Sequence, residues 1–400
     1  MAETLITINE ARARVLRATR TLPPETVAVE DAADRVLAHD LRAAGNVPAF
    51  PCSAMDGYAI KAGPAGRTLT VIGESRAGTP AQREVHEGEA IRISTGGAIP
   101  AGAEAVIPQE NVDQRDGTVT TGVPTAAGVN LRHAGEDMRS GTLVLEAGTV
   151  LRAAELGATV AAGAGNVVVR RRPVVVVLCT GDELRPPGEP LGPGQIHNSN
   201  APMLVALARH GGAVVKPAQR IADDRAATET TLAHALQGTD VVIISGGVSV
   251  GPHDHVKPAL AALGVEERFW GVALQPGKPT WFGERGRQLV FGLPGNPVSA
   301  AVTFSLFARP AIAALQGADS GSQLDREAVL GHAVARNPNR EQALRVRLER
   351  RDGATIAIAN GPQGSHILSS LLGADALALI PPGPGEVQAG TAIALEPLAR

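Results

Sequence analysis

The sequence predicts a multidomain α/β-plus-β protein built around a central doubly wound, mostly parallel sheet. Three observations predict it. Between about 173 and 320, short apolar runs alternate with helical patterns, as parallel strands joined by helical crossovers do. Over about 45–141 and 325–400, β-branched runs are cut by glycine and proline instead. A chain of 400 residues also exceeds what one hydrophobic core usually holds.

Residues 7–20 read as a helix capped by Thr7 or Asn9, with Ile8, Ala11, Val15 and Leu16 near helical spacing and Pro23-Pro24 as its stop. A second short helix is expected over Val29–Ala38. The runs TLTVIGES, EAIRIST and AEAVIPQE then read as strands, and Asp116-Gly117 as a hairpin turn. A helix over Ala153–Ala162 is expected to return towards the first segment. Val174–Leu178 is a strand, Asn198–His210 a helix capped by Asn198, Ser199 or Asn200, and Ala213–Lys216 another strand. A helix follows from Asp223 to about Gln237. Val241–Ile244 is a four-residue apolar run, as expected of a strand buried on both faces. Gln288–Leu293 is the next strand, and Asn296 as N-cap with Pro297 at N1 opens a helix through Leu315. Near the C-terminus, alternating residues flank Asp352-Gly353, the dipeptide a type I′ hairpin turn prefers.

Composition excludes several classes. A net charge of −3 and 2% aromatics argue against nucleic-acid binding, which needs a basic surface or stacking rings. Two cysteines, Cys52 and Cys179, make neither a disulfide framework nor a metal motif, so a reduced, cytoplasmic setting is expected. The charged N-terminus has no apolar signal core, and no apolar run is long enough to span a membrane.

The residues suited to chemistry sit at strand ends, where open α/β sheets bind their ligands. Three loops should converge there: TGDEL (180–184), SGGVSVGPHD (245–254) and PGNP (294–297). Glycines let the backbone turn tightly or approach a ligand, and the helix after PGNP could offer free N–H groups to an anion. Asp182, Glu183 and Asp254 gather at these ends. Asp223 is either a further carboxylate of the site or only a helix cap. Carboxylates beside a phosphate need a hard cation such as Mg²⁺. Lys278 in PGKP (276–279) could aim its ammonium at an oxyanion, a solvated lysine being the alternative. His253 and His255 form one H-x-H without a third ligand and read as solvent-facing loop residues. Cys179 reads as a buried strand-end residue. Nucleophile-elbow, Walker and GxGxxG motifs are absent.

In order along nearly the whole chain, SAMDGYA (53–59), RISTGGAIPAGAEAV (92–106), GEDM (135–138), TGDEL, GQIHNSN (194–200), SGGVSVGPHD, PGKP, LPGNPVS (293–299) and QGSHILSS (363–370) resemble the molybdopterin molybdenumtransferase family, whose eukaryotic relatives include the gephyrin E domain. The resemblance implies a discontinuous helical linker (1–44 with 142–172), a β-rich domain (45–141), an α/β molybdopterin-binding domain (173–320) and a C-terminal β-barrel-like domain (325–400). It implies insertion of molybdate into adenylylated molybdopterin with release of AMP and help from Mg²⁺. It also implies a homodimer whose β-rich domain completes the partner's site, and contact with the molybdopterin adenylyltransferase.

By the same resemblance the catalytic positions are Asp56, Thr95, Asp137, Glu183, Asp223, Asp254 and Lys278, with Glu183 and Asp254 holding the metal. Binding positions are Thr180, Gly181, Ser245, Gly246, Gly247, Ser249, Gly251, Pro294, Gly295, Asn296, Pro297 and Ser299. Arg345 and Ser365 are the further oxyanion contacts it implies. Four positions depart from the family: Gln275 stands where a lysine is common, His197-Asn198 replaces tyrosine-aspartate, and Gly97 gives TGG for TGA. A non-catalytic scaffold that only holds molybdopterin is one competing reading. The adenylyltransferase step is another, which chain length and SAMDGYA disfavour.

Overall fold

The structure is a computed structural model and describes residues 5–222, 224–248, 255–318 and 326–398. Helix α1 (Ile8–Ala18) starts at Thr7, whose hydroxyl accepts the Glu10 N–H at 3.1 Å. The expected helix over 29–38 does not form. Its place is taken by one 3₁₀ turn (Val29–Asp31) and isolated bridges from Val36 to Val150 and Leu37 to Val169. Asp34 breaks the helical path at φ +59°, and the β-branched valines suit extended pairing better. Strand Pro24–Ala28 pairs antiparallel with Asn166–Arg170, and α2 (Ala153–Ala161) closes a small core over Val29, Leu37, Leu151 and Val169.

Residues 57–121 build a six-stranded sheet in the order Ala105–Pro108, Gly57–Ile60, Glu89–Ile93, Thr68–Ser75, Thr118–Thr121, Val112–Arg115. The Asp116-Gly117 turn has both residues at positive φ, +41° and +79°, as a type I′ turn requires.

The central sheet runs Val214–Val215, Val174–Thr180, Val241–Ser245, Gln288–Leu293, Trp281–Arg285, Glu266–Trp270, with Gln219–Ile221 also beside Val174–Thr180. The first four of these strands are parallel, Trp281–Arg285 runs against them, and Glu266–Trp270, antiparallel to Trp281–Arg285, runs in the direction of the first four. Alternate side chains feed two cores. Val175, Val177, Ile243 and Phe291 pack with α3 (Asn200–His210) on one face. Val176, Leu178, Ile244 and Val290 pack with α4 (Arg225–Ala235) and α5 (Val256–Ala262) on the other. Helix α6 (Pro297–Leu315) joins α3, and Ile8, Ala11 and Val15 of α1 enter that same core. Contrary to the sequence reading, α6 is 19 residues long and apolar enough to span a membrane, yet 83% of its most apolar 18-residue window is buried inside the protein. Its middle, Phe304–Ala308, widens into a π turn just before Pro310, which has no N–H to donate back along the helix.

The C-terminal strands close on themselves: Glu341–Arg351, Ala354–Ala359, Arg326–Leu330, Ala392–Pro397 and Ala376–Ile380, the last pairing back to the first. This five-stranded barrel is tied to the α/β unit in two places. Leu274–Gln275 extends it in parallel beside Glu341–Gln342. Glu396, with a fully buried carboxylate, is held by Arg12 of α1 and Arg309 of α6.

Candidate functional site

A cavity of about 720 Å³ lies at the carboxyl ends of the parallel strands. Thr180 and Glu183, Ser245–Val248, and Pro294–Pro297 line it, together with Ile196–Asn200 and, from the C-terminal unit, His366 and Leu368. The convergence of three strand-end loops is therefore met, and the loop that bears Ser365, which the family resemblance implied, reaches the same cavity through His366 and Leu368.

One side chain links three of these elements. Asn200, at the start of α3 and nearly buried, donates its amide to Ser245 Oγ at 2.9 Å and to the Gly295 carbonyl at 2.6 Å. Ser245 in turn donates to the Pro294 carbonyl at 3.2 Å. Asn200 Oδ1 has no partner among the described residues. Asn200 is not the cap of α3; Asn198 takes that work, its Oδ1 accepting the Ala201 N–H at 3.1 Å. An aspartate would accept the same bond, so the departure at Asn198 preserves the helix start and removes only a charge.

Glycine is required where the walls are thin. A Cβ on Gly246 would stand 2.6 Å from Thr180 Oγ1, and one on Gly181 2.5 Å from Glu183 Oε2. The Glu183 carboxylate is thus folded over Gly181 while remaining exposed to the cavity. Its backbone is fixed by the Ile196 N–H, which donates to the Glu183 carbonyl at 2.9 Å.

The helix N-terminus offers less to an anion than expected. Pro297 has no N–H, Val298 N–H already binds the Ser365 carbonyl at 3.3 Å, and Ala300 N–H binds the Asn296 carbonyl. Ser365 also receives Asn296 Nδ2 on its hydroxyl at 3.1 Å. Ser299 is buried behind this wall rather than on it.

Arg345 lies off the cavity too. Fully buried in the barrel, it donates to Ser370 Oγ and to the carbonyls of Pro362 and Gly364, holding the loop that bears Ser365 and His366. Burial pulls its pKa down to about 10, and Nη1 is left without a partner among the described residues. Lys278 is exposed, with neighbouring Pro279 on the cavity wall. Its main chain is rigid: the Lys278 carbonyl accepts from both Val272 and Thr280 N–H groups, and Thr280 Oγ1 donates to the Gly277 carbonyl at 2.6 Å. Gln275 accepts from Asn337 Nδ2 at 2.5 Å, so the uncharged side chain is engaged with the C-terminal unit.

The remaining predicted residues are not brought here. Asp56 and Thr95 pair on the N-terminal sheet: Thr95 N–H and Oγ1 donate to Asp56 Oδ1 at 2.6 and 3.0 Å. These bonds hold the Asp56 carboxyl below the usual carboxylate range. Because the folded-state value is depressed, the pairing contributes fully above the ordinary carboxylate pKa and is lost as pH falls through the lowered one. Thr95→Val is expected to remove one of the two bonds and raise the Asp56 titration midpoint, as carboxyl NMR would record; an unmoved midpoint would contradict the pairing. Asp137 lines a separate cavity of about 460 Å³ with Val47, Pro48, Cys52, Arg132 and Glu136. Asp223, Ser249, Gly251, His253 and Asp254 lie outside the described residues. The cap of α4 is Asp224, accepting Ala227 N–H at 2.8 Å, which frees the sequence reading of Asp223 from that role.

Cys179 is a wall residue but no nucleophile: burial raises its thiol to about 11, outweighing the opposing hydrogen bond with Asn198.

Known proteins match this arrangement from end to end. Residues 6–163 match the MoeA N-terminal region (domain I and II), 176–314 the probable molybdopterin binding domain, and 327–398 the MoeA C-terminal region (domain IV). The molybdopterin molybdenumtransferase of Haemophilus influenzae is 36% identical over 404 residues, covering 98% of each chain. The chain belongs to the molybdopterin molybdenumtransferase family. Molybdopterin molybdenumtransferase 2 of Mycobacterium tuberculosis is also 36% identical, over 96% of this chain and 97% of that one. The solved molybdopterin biosynthesis moeA protein of Pyrococcus horikoshii OT3 superimposes with a TM-score of 0.80 at 30% identity, over 98% of this chain and 99% of that one.

Proposed function

We propose that this chain inserts molybdate into adenylylated molybdopterin and releases AMP, acting as a homodimer in the cytoplasm. The observation that carries the reading is the cavity of about 720 Å³ at the sheet's carboxyl edge, lined by three strand-end loops, Ile196–Asn200 and a loop of the C-terminal barrel. That volume suits a nucleotide-sized ligand. The glycines at 246 and 247, both at positive φ, allow backbone to lie close to phosphoryl oxygens.

Release of AMP breaks a P–O bond of a phosphoanhydride as a water oxygen bonds to that phosphorus and gives up its proton, so negative charge builds on phosphoryl oxygens as the old bond opens. Lys278, fixed by its rigid main chain, is the cation suited to that charge or to the molybdate dianion. Arg345 acts at one remove by holding the Ser365–His366 loop against Asn296. Glu183 is a hard oxygen donor exposed at the cavity, of the kind Mg²⁺ takes alongside phosphate oxygens, and Asp254 would be its companion. Bound there, the metal would neutralise phosphoryl charge.

Asp56, Thr95 and Asp137 fit the same chemistry only if another chain brings them. None of the described residues on the cavity wall comes from 45–141. A second copy supplying that edge agrees with the exposed Phe50 and Met55 beside it, apolar side chains suited to an interface.

The scaffold reading draws on Gln275, where a cation is missing. The test is AMP release from adenylylated molybdopterin with Mg²⁺, with and without molybdate. Molybdate-dependent release is expected; tight binding without turnover would replace the enzyme by the scaffold.

A further inference from the structure

We propose that Trp270 is a positioning residue for the glycine-rich loop at 245–248 and that its indole reports occupation of the cavity. The proposal rests on the reading of that cavity as the substrate site.

Trp270 ends the edge strand Glu266–Trp270 and is half-buried. Its indole N–H donates to the Val248 carbonyl at 2.9 Å. The ammonium of Lys257, in the first turn of α5, stands 5.0 Å from the centroid of the ring. Val248 precedes the stretch 249–254 and Lys257 follows it closely, so one rigid side chain fastens both approaches to that stretch. Val248 itself is buried and lines the cavity. Its methyl group packs where a side chain at Gly292 would be: a Cβ there would lie 2.5 Å from Val248 Cγ1.

The physical need is specific. A loop that presents N–H groups to an anion must turn its carbonyls elsewhere, because a carbonyl oxygen facing a phosphate repels it. A carbonyl turned into the protein in turn requires a donor. The inner half of the loop has its own anchors, with Gly246 N–H on the Leu293 carbonyl at 3.0 Å and Ser245 bound to Asn200. The outer half has Trp270. A phenylalanine could keep the packing and the cation on the ring, but not the donor. The hydrogen bond is therefore separable from the core contribution of the ring.

Calorimetry and tryptophan emission, run in parallel with adenylylated molybdopterin, test this on wild type, Trp270→Phe and Lys257→Met. The chain has two tryptophans, and Trp281 is common to all three proteins, so the difference isolates Trp270. Wild type is expected to show an emission change that saturates with the heat. Trp270→Phe is expected to lose that change and to bind roughly three- to tenfold more weakly, the worth of one neutral hydrogen bond. Lys257→Met is expected to keep the emission change and weaken binding about twofold, the scale of an exposed cation–π contact. Heat without an emission change in wild type would overturn the proposal and leave the site standing. An unchanged affinity in Trp270→Phe with a lowered Tm would mark the tryptophan as packing only, and would overturn it as well. No heat in wild type would remove the substrate site and this proposal together. If Trp270→Phe fails to fold, Trp281→Phe leaves Trp270 as the one emitter, and an emission change lost in that variant would overturn the proposal.

Discussion

Replacing Glu396 with alanine is expected to lower stability by about 3–5 kcal/mol, the cost of breaking a buried ion pair by removing one partner. The Glu396 carboxylate is fully buried, and Arg12 and Arg309 reach it from two different helices. Their side chains are only 11% and 17% exposed, so alanine would strand two guanidinium groups with little water to replace the carboxylate. The consequence reaches beyond one contact. Arg12 belongs to α1, Arg309 to α6 and Glu396 to the last barrel strand, so the cluster fastens the barrel to the α/β unit. Thermal unfolding followed by calorimetry would register the loss as a lower Tm, or as a barrel transition separating from the rest. Glu229→Ala makes the control, since the Arg225–Glu229 pair is exposed and worth a few tenths of a kcal/mol. Equal effects at the two positions would contradict the role given to Glu396.

Glu183→Gln is expected to reduce molybdate-dependent AMP release by about 10²–10³-fold at saturating Mg²⁺, the scale on which loss of one group stabilising transition-state charge is felt. Glutamine keeps the size of the side chain and its place over Gly181 while removing the charge. Folding should be unaffected, because the side chain is exposed and its backbone bond from Ile196 remains. Release at the wild-type rate would remove the carboxylate from the mechanism.

Much of the α/β unit was legible because its strands are buried on both faces and its helices carry ordinary punctuation. Val241–Ile244 and Asn296-Pro297 are local signals, and the structure obeys both. The Asp-Gly hairpins at 116 and 352 were legible for the same reason, since a type I′ turn is a property of two residues. The helix expected at 29–38 failed because its hydrophobics serve strand pairing with 150 and 169, partners more than a hundred residues away. Closure of the barrel by Ala376–Ile380 against Glu341–Arg351 is a long-range pairing of the same kind, implied by the family motifs but not by local pattern.

The site divides likewise. Thr180, Glu183, Ser245 and Pro294–Pro297 reach one cavity because strand ends are set by topology. Asn200 was read as a possible cap, and nothing in a single asparagine says that it links Ser245 with Gly295. Arg345 was read as an oxyanion contact and Ser299 as a binding position, yet both are buried behind the wall, where only the packing of the C-terminal loop decides.

Two groups of residues that the motifs unite stand on different surfaces of one chain, Asp56 and Thr95 on one and the cavity on the other. Mixing inactive Asp56→Asn protein with inactive Glu183→Gln protein, allowing subunits to exchange, and measuring molybdate-dependent AMP release addresses this directly. If two copies complete each other's sites, half of the dimers are mixed and one site in each is intact, so roughly a quarter of wild-type activity should return. A mixture as inactive as its two components would contradict the shared site.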